Sequence, residues 1–182
     1  MEELIEKYHT GQTRNKGHVP YVVHLYGVRE ILKNLILAEE EIPKRIARDL
    51  ENAALGHDLL EDTEVLEEEI VSCTNEKVLR YIKEVTNPED DSHTMKYMEQ
   101  IKRASEEGRL IKYADLIDNT LSVAYGLHEL GQEWVESFYL PILKRTKNVL
   151  EETSFDKYPR TAKQARIILD MAVSLLSCRL SK

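Results

Sequence analysis

The chain has 182 residues, of which 42% are hydrophobic and 32% are charged, a balance that predicts one folded domain over residues 1–182 and argues against disorder. Its formal net charge of −8 argues against a nucleic-acid partner, because nucleic-acid-binding surfaces neutralise phosphates with clustered lysine and arginine. No apolar run approaches the roughly 18 residues that cross a bilayer, and the first residues are acidic rather than basic. We therefore expect a cytoplasmic protein with no membrane partner.

The first half of the chain shows helical periodicity of its hydrophobic residues, and strand-like alternation is hard to find, which predicts an all-α fold. The first clear helix is expected over about 20–37, with an inward stripe that includes Val23. A second helix over about 43–59 becomes apolar on nearly all sides, as a central buried helix does. Thr63 is the expected cap of a short acidic helix that reaches residue 71.

The second half continues the helical pattern. Asn75 is expected to begin a helix through residue 85, and the segment 86–92 combines turn formers with acids, which predicts a surface loop. Gly108 is expected to break the chain before a long helix. The further helices are expected over about 93–105, from 109 into the region 121–130, and over 133–151 and 158–180.

The most informative segment is 53–63 (AALGHDLLEDT), which places four ionisable residues in an apolar helix. Burying such groups costs several kcal/mol unless each is paired, hydrogen-bonded or bound to a metal. Helical spacing puts His57 over Glu61 and Asp58 over Asp62. A His-Asp pair by itself is weak evidence, but here metal ligands and proton-transfer groups would share one wall.

Two other predicted helices carry candidate ligands. His24 lies in an apolar run, where a hydrogen-bonded core histidine is the alternative explanation, and Asp115 lies in the segment 112–119 (KYADLIDN). Two imidazoles and two carboxylates without a thiolate suit Mn²⁺, Fe²⁺, Co²⁺ or Zn²⁺ better than Ca²⁺ or a structural zinc site, and we favour Mn²⁺. Such a cation polarises a phosphoryl oxygen and lowers the pKa of water, which predicts hydrolysis of a phosphate ester or anhydride.

Five segments in this order and approximate spacing resemble the HD superfamily, and more narrowly the (p)ppGpp hydrolase domain of RelA/SpoT-type proteins and the small alarmone hydrolases. The resemblance covers roughly residues 8–123. The segments that carry it are 8–14 (YHTGQTR), 20–24 (PYVVH), 53–63, 84–86 (EVT) and 112–119. The block His-Asp-x-x-Glu-Asp-Thr, flanked by Pro-Tyr-x-x-His upstream and Lys-x-x-Asp-x-x-x-Asn downstream, is highly specific.

The resemblance implies an HD-domain helical bundle that removes pyrophosphate from the 3′ position of guanosine tetra- or pentaphosphate, a small-molecule nucleotide, leaving GDP or GTP. It implies that the metal, usually Mn²⁺ in these hydrolases, is bound by His24, His57, Asp58 and Asp115. It implies catalytic roles for Glu61 and Asp62, which orient or deprotonate the attacking water and assist the leaving group. It implies contacts with the nucleotide for Arg14, Lys112 and Asn119.

The chain also departs from the family's pattern. Leu116 stands where the family normally carries Arg or Lys, and the acid Asp118 is unexpected beside Asn119; losing a cation and adding an acid should weaken binding of a highly charged pyrophosphate. The alternatives are therefore an HD-type nucleotidase or phosphatase acting on another small phosphorylated metabolite, or a non-catalytic nucleotide-sensing module. After about Val123 there is room for only two or three helices, so we expect a stand-alone hydrolase without synthetase or regulatory domains.

Overall fold

The computed structural model describes residues 1–17, 19–87 and 95–181. These residues form the predicted all-α fold, apart from a short ribbon in which β1 (Thr13–Arg14) pairs antiparallel with β2 (Val19–Pro20). None of the described helices is both long and apolar enough to cross a membrane. The helices are α1 (Glu2–Tyr8), α2 (Val22–Glu39), α3 (Lys44–Leu55), α4 (Leu59–Asp62), α5 (Glu67–Cys73), α6 (Glu76–Val85), α7 (Met95–Arg103), α8 (Glu106–Tyr125), α9 (Leu127–Leu130), α10 (Gln132–Trp134), a π-helical turn (Val135–Tyr139), α11 (Leu140–Glu151) and α12 (Pro159–Leu180).

Helix α8 is the central element, and it packs against α2, α3, α6 and α12. Its first turn is capped by Ser105, whose hydroxyl accepts a hydrogen bond from the backbone N–H of Gly108 at 3.1 Å. The predicted break at Gly108 is wrong, because the helix runs straight through this residue. The glycine serves packing instead: a Cβ there would lie 2.6 Å from Glu84 Oε2.

Helix α2 brings His24 to the interior. The helix begins at Val22, two residues later than predicted, because Pro20 belongs to β2. Its buried stripe includes His24, Leu25 and Val28, whereas Val23 is 53% exposed. The prediction that Val23 faces inward is therefore wrong, and the polar His24 takes the inward position that faces α8.

The predicted helix over 43–59 is interrupted where the chemistry lies. Helix α3 ends at Leu55, Gly56 follows as its C-cap, and α4 begins at Leu59. His57 and Asp58 therefore lie in a turn rather than inside a continuous helix, which corrects the prediction. The turn is closed by the backbone hydrogen bond from Leu59 N–H to Gly56 O at 3.1 Å. His57 and Glu61 do not belong to one continuous helix, which the predicted stacking of the two residues required.

The next two helix starts have different outcomes. Thr63 is not an N-cap: its hydroxyl donates to Leu59 O at 2.6 Å, and α5 begins four residues later, at Glu67. Asn75 is confirmed as the N-cap of α6, because its side-chain oxygen accepts hydrogen bonds from the N–H groups of Lys77 and Val78.

The C-terminal half follows the prediction with one subdivision. Of the predicted loop 86–92, residues 88–92 lie outside the described residues, as do the first two residues of the predicted helix 93–105. The predicted helix 133–151 is divided into α10, the π-helical turn and α11. The helix predicted over 158–180 is confirmed as α12, which has Pro159 in its first turn.

Glu106 ties the loop before α12 to the central helix. Its side chain, in a residue that is only 9% exposed, accepts hydrogen bonds from the backbone N–H groups of Asp156, Lys157 and Tyr158 at 2.9–3.1 Å. Replacing it by alanine leaves these donors without an acceptor, at about 1–3 kcal/mol for each buried group. We expect Glu106→Ala to lower the free energy of unfolding by about 3 kcal/mol in urea titrations, since water replaces part of the loss. The exposed Glu133→Ala is the control, and an equal effect of both variants would contradict the assignment.

Candidate active site

Three parts of the fold converge on one cluster: α2 contributes His24, the turn between α3 and α4 contributes His57 and Asp58, and α8 contributes Asp115. His24 Nε2 lies 3.5 Å from Asp58 Oδ2 and 3.3 Å from Asp115 Oδ1. His57 Nε2 lies 3.1 Å and 3.6 Å from the same two oxygens. His24, His57 and Asp58 each present a ligand atom within 4.8 Å of the others, which is suitable for a metal ion. The structure thus brings together all four predicted ligands.

Both imidazoles are held by their Nδ1 atoms. His57 Nδ1 lies 2.9 Å from the backbone oxygen of Ala54, and His24 Nδ1 lies 2.7 Å from Asp118 Oδ2. With the Nδ1 protons donated to these acceptors, each Nε2 lone pair points into the cluster, the arrangement that metal-bound histidines adopt. His57 Nε2 is buried and has no hydrogen-bond partner among the described residues. A buried acceptor of this kind fits a divalent cation.

The two carboxylates are oriented by neighbouring donors. The Tyr21 hydroxyl donates to Asp58 Oδ2 at 2.7 Å. Lys112 Nζ lies 2.8 Å from Asp115 Oδ2, and Asn119 Nδ2 donates to Asp115 Oδ1. Because these contacts fix both side chains before any ligand arrives, the oxygen donors are preorganised.

The cluster holds an excess of negative charge that raises the basicity of its histidines. Burial lowers the pKa of His24, but hydrogen bonds to Asp115, Asp118 and Asp58 outweigh it and raise this pKa to about 9. Burial also lowers the pKa of His57, but the charge of Asp58 and the hydrogen bonds to Asp115 and Asp58 together outweigh this effect, and the net result is a pKa well above the usual range. The pKa of Asp58 is held well below its usual range, despite burial, by the two histidines. A divalent cation would balance this charge in place of protons.

Glu61 lies beside the ligands. Its side chain lines the same cavity as His24, Asp58 and Asp115, and its Oε2 accepts a hydrogen bond from the backbone N–H of Asn87 at 2.9 Å. Loss of hydration on partial burial raises the pKa of Glu61 to about 7. The hydrogen bond from Asn87 opposes this shift, and the negative charge of Asp58 adds to it. A carboxylate with this pKa can exchange protons near neutral pH.

Asp62 occupies a different position from Glu61. It is not among the residues that line the cavity, and its backbone oxygen accepts a hydrogen bond from the Gln12 side chain at 3.0 Å. Partial burial and then the charge of Asp58 raise the pKa of its carboxyl group. His9 completes this side of the site, stacked on the Tyr21 ring with 5.1 Å between centroids. The catalytic role predicted for Asp62 remains a prediction.

The three predicted substrate contacts all line the cavity, which has a volume of about 250 Å³. Each is also engaged within the protein: Arg14 with Asp118 and Asn119 at 2.9 and 2.8 Å, and Lys112 and Asn119 with Asp115. Burial lowers the pKa of Lys112, but the charge of Asp115, together with the other contacts of the side chain, outweighs this effect and holds the pKa well above its usual value, so this ammonium group stays charged. Substrate contacts by these residues stay predictions. A larger groove of about 710 Å³ between α1, α3 and α5 is lined by no described histidine.

Two residues have contacts at the site that their sequence positions did not predict. Asp118 was expected only to repel substrate, yet its carboxylate contacts His24 and Arg14. Tyr21, which belongs to the PYVVH motif, positions Asp58 through its hydroxyl group. One feature of the sequence could have indicated the role of Asp118: it lies three residues after Asp115 and therefore on the same helix face. Leu116 is buried in the cavity wall, where it offers a substrate no charge.

The raised pKa of Glu61 predicts a pH-dependent effect on stability. Because its folded-state pKa of about 7 exceeds the ordinary glutamate value of 4.5, ionisation destabilises the folded protein as pH rises through this interval. We expect Glu61→Gln to stabilise the metal-free protein at pH 8 by about 1 kcal/mol, a value reduced for solvent screening because this carboxyl group is only partly buried, and to have no such effect at pH 4.5. Urea unfolding in chelator at both pH values measures the difference; equal effects at the two pH values would contradict it.

No family model matches the chain. Its sequence is 30% identical, over 92% of the chain, to a guanosine-3′,5′-bis(diphosphate) 3′-pyrophosphohydrolase of Borreliella burgdorferi, and 29% identical, over 90%, to a protein of the same name from Aquifex aeolicus. The chain spans only 26% and 24% of those two relatives. A Danio rerio relative, guanosine-3′,5′-bis(diphosphate) 3′-pyrophosphohydrolase MESH1, is 31% identical over 63% of this chain and 61% of its own length.

A solved structure shares the fold. It is described as that of a metazoan orthologue of SpoT that hydrolyses ppGpp, and it superposes with a TM-score of 0.70 over 94% of this chain and 90% of its own, at 23% identity. This chain therefore has the all-helical fold of that structure, together with a His-Asp cluster that could hold a metal ion. All three relatives bear the name guanosine-3′,5′-bis(diphosphate) 3′-pyrophosphohydrolase, which agrees with the family resemblance carried by the sequence motifs.

Proposed function

We propose that this protein is a metal-dependent phosphohydrolase whose divalent cation is held by His24, His57, Asp58 and Asp115. The observation that supports this most directly is the convergence of two imidazole Nε2 atoms and two carboxylates in one cluster, of which His24, Asp58 and Asp115 line the cavity. Nitrogen and carboxylate donors without a thiolate suit Mn²⁺, Fe²⁺, Co²⁺ or Zn²⁺, and we favour Mn²⁺. One domain over residues 1–182 and a cytoplasmic location are part of the proposal.

The cation, when bound, supplies Lewis acidity that stabilises charge on a phosphoryl oxygen and lowers the pKa of water. Glu61 receives the proton of the attacking water, a role that its pKa of about 7 and its place in the cavity wall support. Asp62 is the second acid of the proposal and assists the leaving group. Lys112 remains protonated beside Asp115 and adds positive charge to the cavity wall.

The proposed substrate is (p)ppGpp, from which hydrolysis removes the 3′-pyrophosphate and leaves GDP or GTP. The names of the sequence relatives support this choice. So does the presence in one cavity of Arg14, Lys112 and Asn119, the three residues whose counterparts the family resemblance assigns to the nucleotide. Charge-assisted hydrogen bonds from Arg14 and Lys112 would hold phosphate oxygens.

Product analysis tests the proposal. The Mn²⁺-loaded protein is incubated separately with ppGpp and dGMP, and products are resolved by ion-exchange chromatography. We expect pyrophosphate and GDP from ppGpp. If ppGpp stays intact while purified protein neither contains nor binds a transition metal, the proposal is overturned in favour of a non-catalytic nucleotide-sensing module.

A second candidate is an HD-type nucleotidase or phosphatase for a less highly charged metabolite. Leu116 in the cavity wall and the pairing of Arg14 with Asp118 favour it, because both reduce the positive charge available to a pyrophosphate. In the same experiment, orthophosphate release from dGMP without cleavage of ppGpp would identify this activity.

A further inference from the structure

We propose that Asp118 is a positioning residue that holds the His24 imidazole as a metal ligand, and that Gly27 provides the space for its carboxylate. This inference rests on the metal site of the proposed function and adds two residues to it. Asp118 and Gly27 lie on different helices, α8 and α2, and neither belongs to the four proposed ligands. The contacts of the carboxylate, its surroundings and its counter-charge each support the assignment.

The contact with His24 has the geometry of an orienting pair. Asp118 Oδ2 lies 2.7 Å from His24 Nδ1, and the imidazole is only 3% exposed. With its Nδ1 proton donated to this carboxylate, the ring presents Nε2 to Asp58 and Asp115. A carboxylate in this position fixes the tautomer, restricts ring rotation and makes the nitrogen at the other end a better donor to a cation. His57 has a neutral acceptor instead, the Ala54 backbone oxygen.

Gly27 is the position on α2 that faces this carboxylate. A Cβ built on Gly27 would overlap Asp118 Oδ1 and lie 3.1 Å from Asp118 Cγ. Glycine inside a helix costs about 1 kcal/mol relative to alanine, and nothing in the backbone of α2 requires it here, because Gly27 is not among the positive-φ residues. The absence of a side chain at Gly27 therefore allows Asp118 to approach His24, which lies three residues before Gly27 on α2.

Arg14 supplies the counter-charge. Its guanidinium donates to Asp118 Oδ2 at 2.9 Å and to Asn119 Oδ1 at 2.8 Å. Asn119 in turn donates to Asp115. Asp118 and Asn119, which are neighbours on α8, therefore connect His24 and Asp115 through one arginine, whose guanidinium faces the Asp118 carboxylate. A merely structural Asp118 would stabilise the helix pair without affecting affinity for a cation.

Metal affinity measured on four proteins tests the inference: wild type, Asp118→Asn, Gly27→Ala and the control Ser122→Ala. Ser122 lies one helical turn beyond Asp118 on α8, and its hydroxyl accepts a hydrogen bond from Asn15 rather than from any residue of the cluster. Free Mn²⁺ is followed by electron paramagnetic resonance during titration. We expect Asp118→Asn and Gly27→Ala each to weaken Mn²⁺ binding by about 10–100-fold, the usual effect of losing an outer partner of a metal-bound histidine, and Ser122→Ala to leave it unchanged.

The double variant Gly27→Ala/Asp118→Ala separates positioning from general damage to the fold. With the carboxylate removed, the new Cβ has room, so Gly27→Ala should cause no further loss of Mn²⁺ affinity relative to Asp118→Ala alone. The melting temperature should fall for Gly27→Ala alone and should not fall when the same substitution is made in Asp118→Ala.

Three outcomes decide the inference. Wild-type affinity in folded Asp118→Asn and Gly27→Ala would overturn it while leaving the proposed function intact. Additive losses in the double variant would also overturn it, because the two residues would then act independently. Failure of the wild type to bind Mn²⁺ would overturn the proposed metal site and this inference together.

Discussion

His57→Ala and Asp58→Ala are each expected to abolish bound metal and phosphohydrolase activity together. His57 Nε2 and Asp58 Oδ2 lie 3.1 Å apart at the centre of the cluster, so each substitution removes a proposed ligand. Loss of a ligand should exceed the ~10–100-fold effect of outer partners, and we expect turnover to fall by at least ~10³-fold. Metal content by inductively coupled plasma mass spectrometry and initial rates on ppGpp are the measurements.

The matched control is His128→Ala. His128 is an exposed histidine on α9, and its imidazole contacts only the neighbouring Glu129 among the ion pairs of the described chain. It should keep both metal and activity. Circular dichroism checks that the His57 and Asp58 variants remain helical. A folded His57→Ala protein with full metal content and normal turnover would remove His57 from the ligand set.

Glu61→Gln is expected to separate metal binding from catalysis. The substitution preserves the size of the side chain and an oxygen that can accept the hydrogen bond from Asn87 N–H, but it removes the group that exchanges protons near pH 7. We expect Mn²⁺ affinity within about twofold of wild type and turnover reduced by about 10²–10⁴-fold, the range of general acid-base catalysis. Isothermal titration and single-turnover kinetics measure the two effects.

Glu64→Gln is the control for this prediction, because Glu64 is exposed just after α4 and does not line the cavity. Loss of metal along with turnover in Glu61→Gln would reassign Glu61 to the coordination shell. Unchanged turnover would exclude it as the proton acceptor. The same measurements on Asp62→Asn test the second proposed acid, Asp62, which is not among the residues that line the cavity.

Much of the fold could be read from local patterns. The end of the chain is an example: α12 begins at Pro159, within a residue of its predicted start, because proline fits the first turn of a helix. Asn75 is another, since its side chain caps the N–H groups of the next turn by local geometry alone. Such features depend on neighbouring residues and need no tertiary information.

Other elements were decided by packing. Gly108 has a low intrinsic helix propensity, yet α8 continues through it, packed against α2, α3, α6 and α12, and Glu84 occupies the space that a side chain at residue 108 would need. Gly56 was predicted to lie within an apolar helix, but the helix ends there, and the His57 imidazole forms a hydrogen bond with the Ala54 backbone oxygen. Local propensity is a weak prior when contacts from distant segments compete with it.

The sequence by itself determined the all-α class and pointed to the candidate site residues, because helical periodicity and ionisable residues within apolar runs are visible in one dimension. Only the tertiary structure decided that α2, α8 and the turn between α3 and α4 place the His24 and His57 Nε2 atoms 3.1–3.6 Å from the carboxylate oxygens of Asp58 and Asp115. The tertiary structure also decided the proposed role of Asp118, because His24, the residue that its carboxylate contacts, is 94 residues away in the chain. Such long-range contacts follow from how helices pack, which no local pattern specifies.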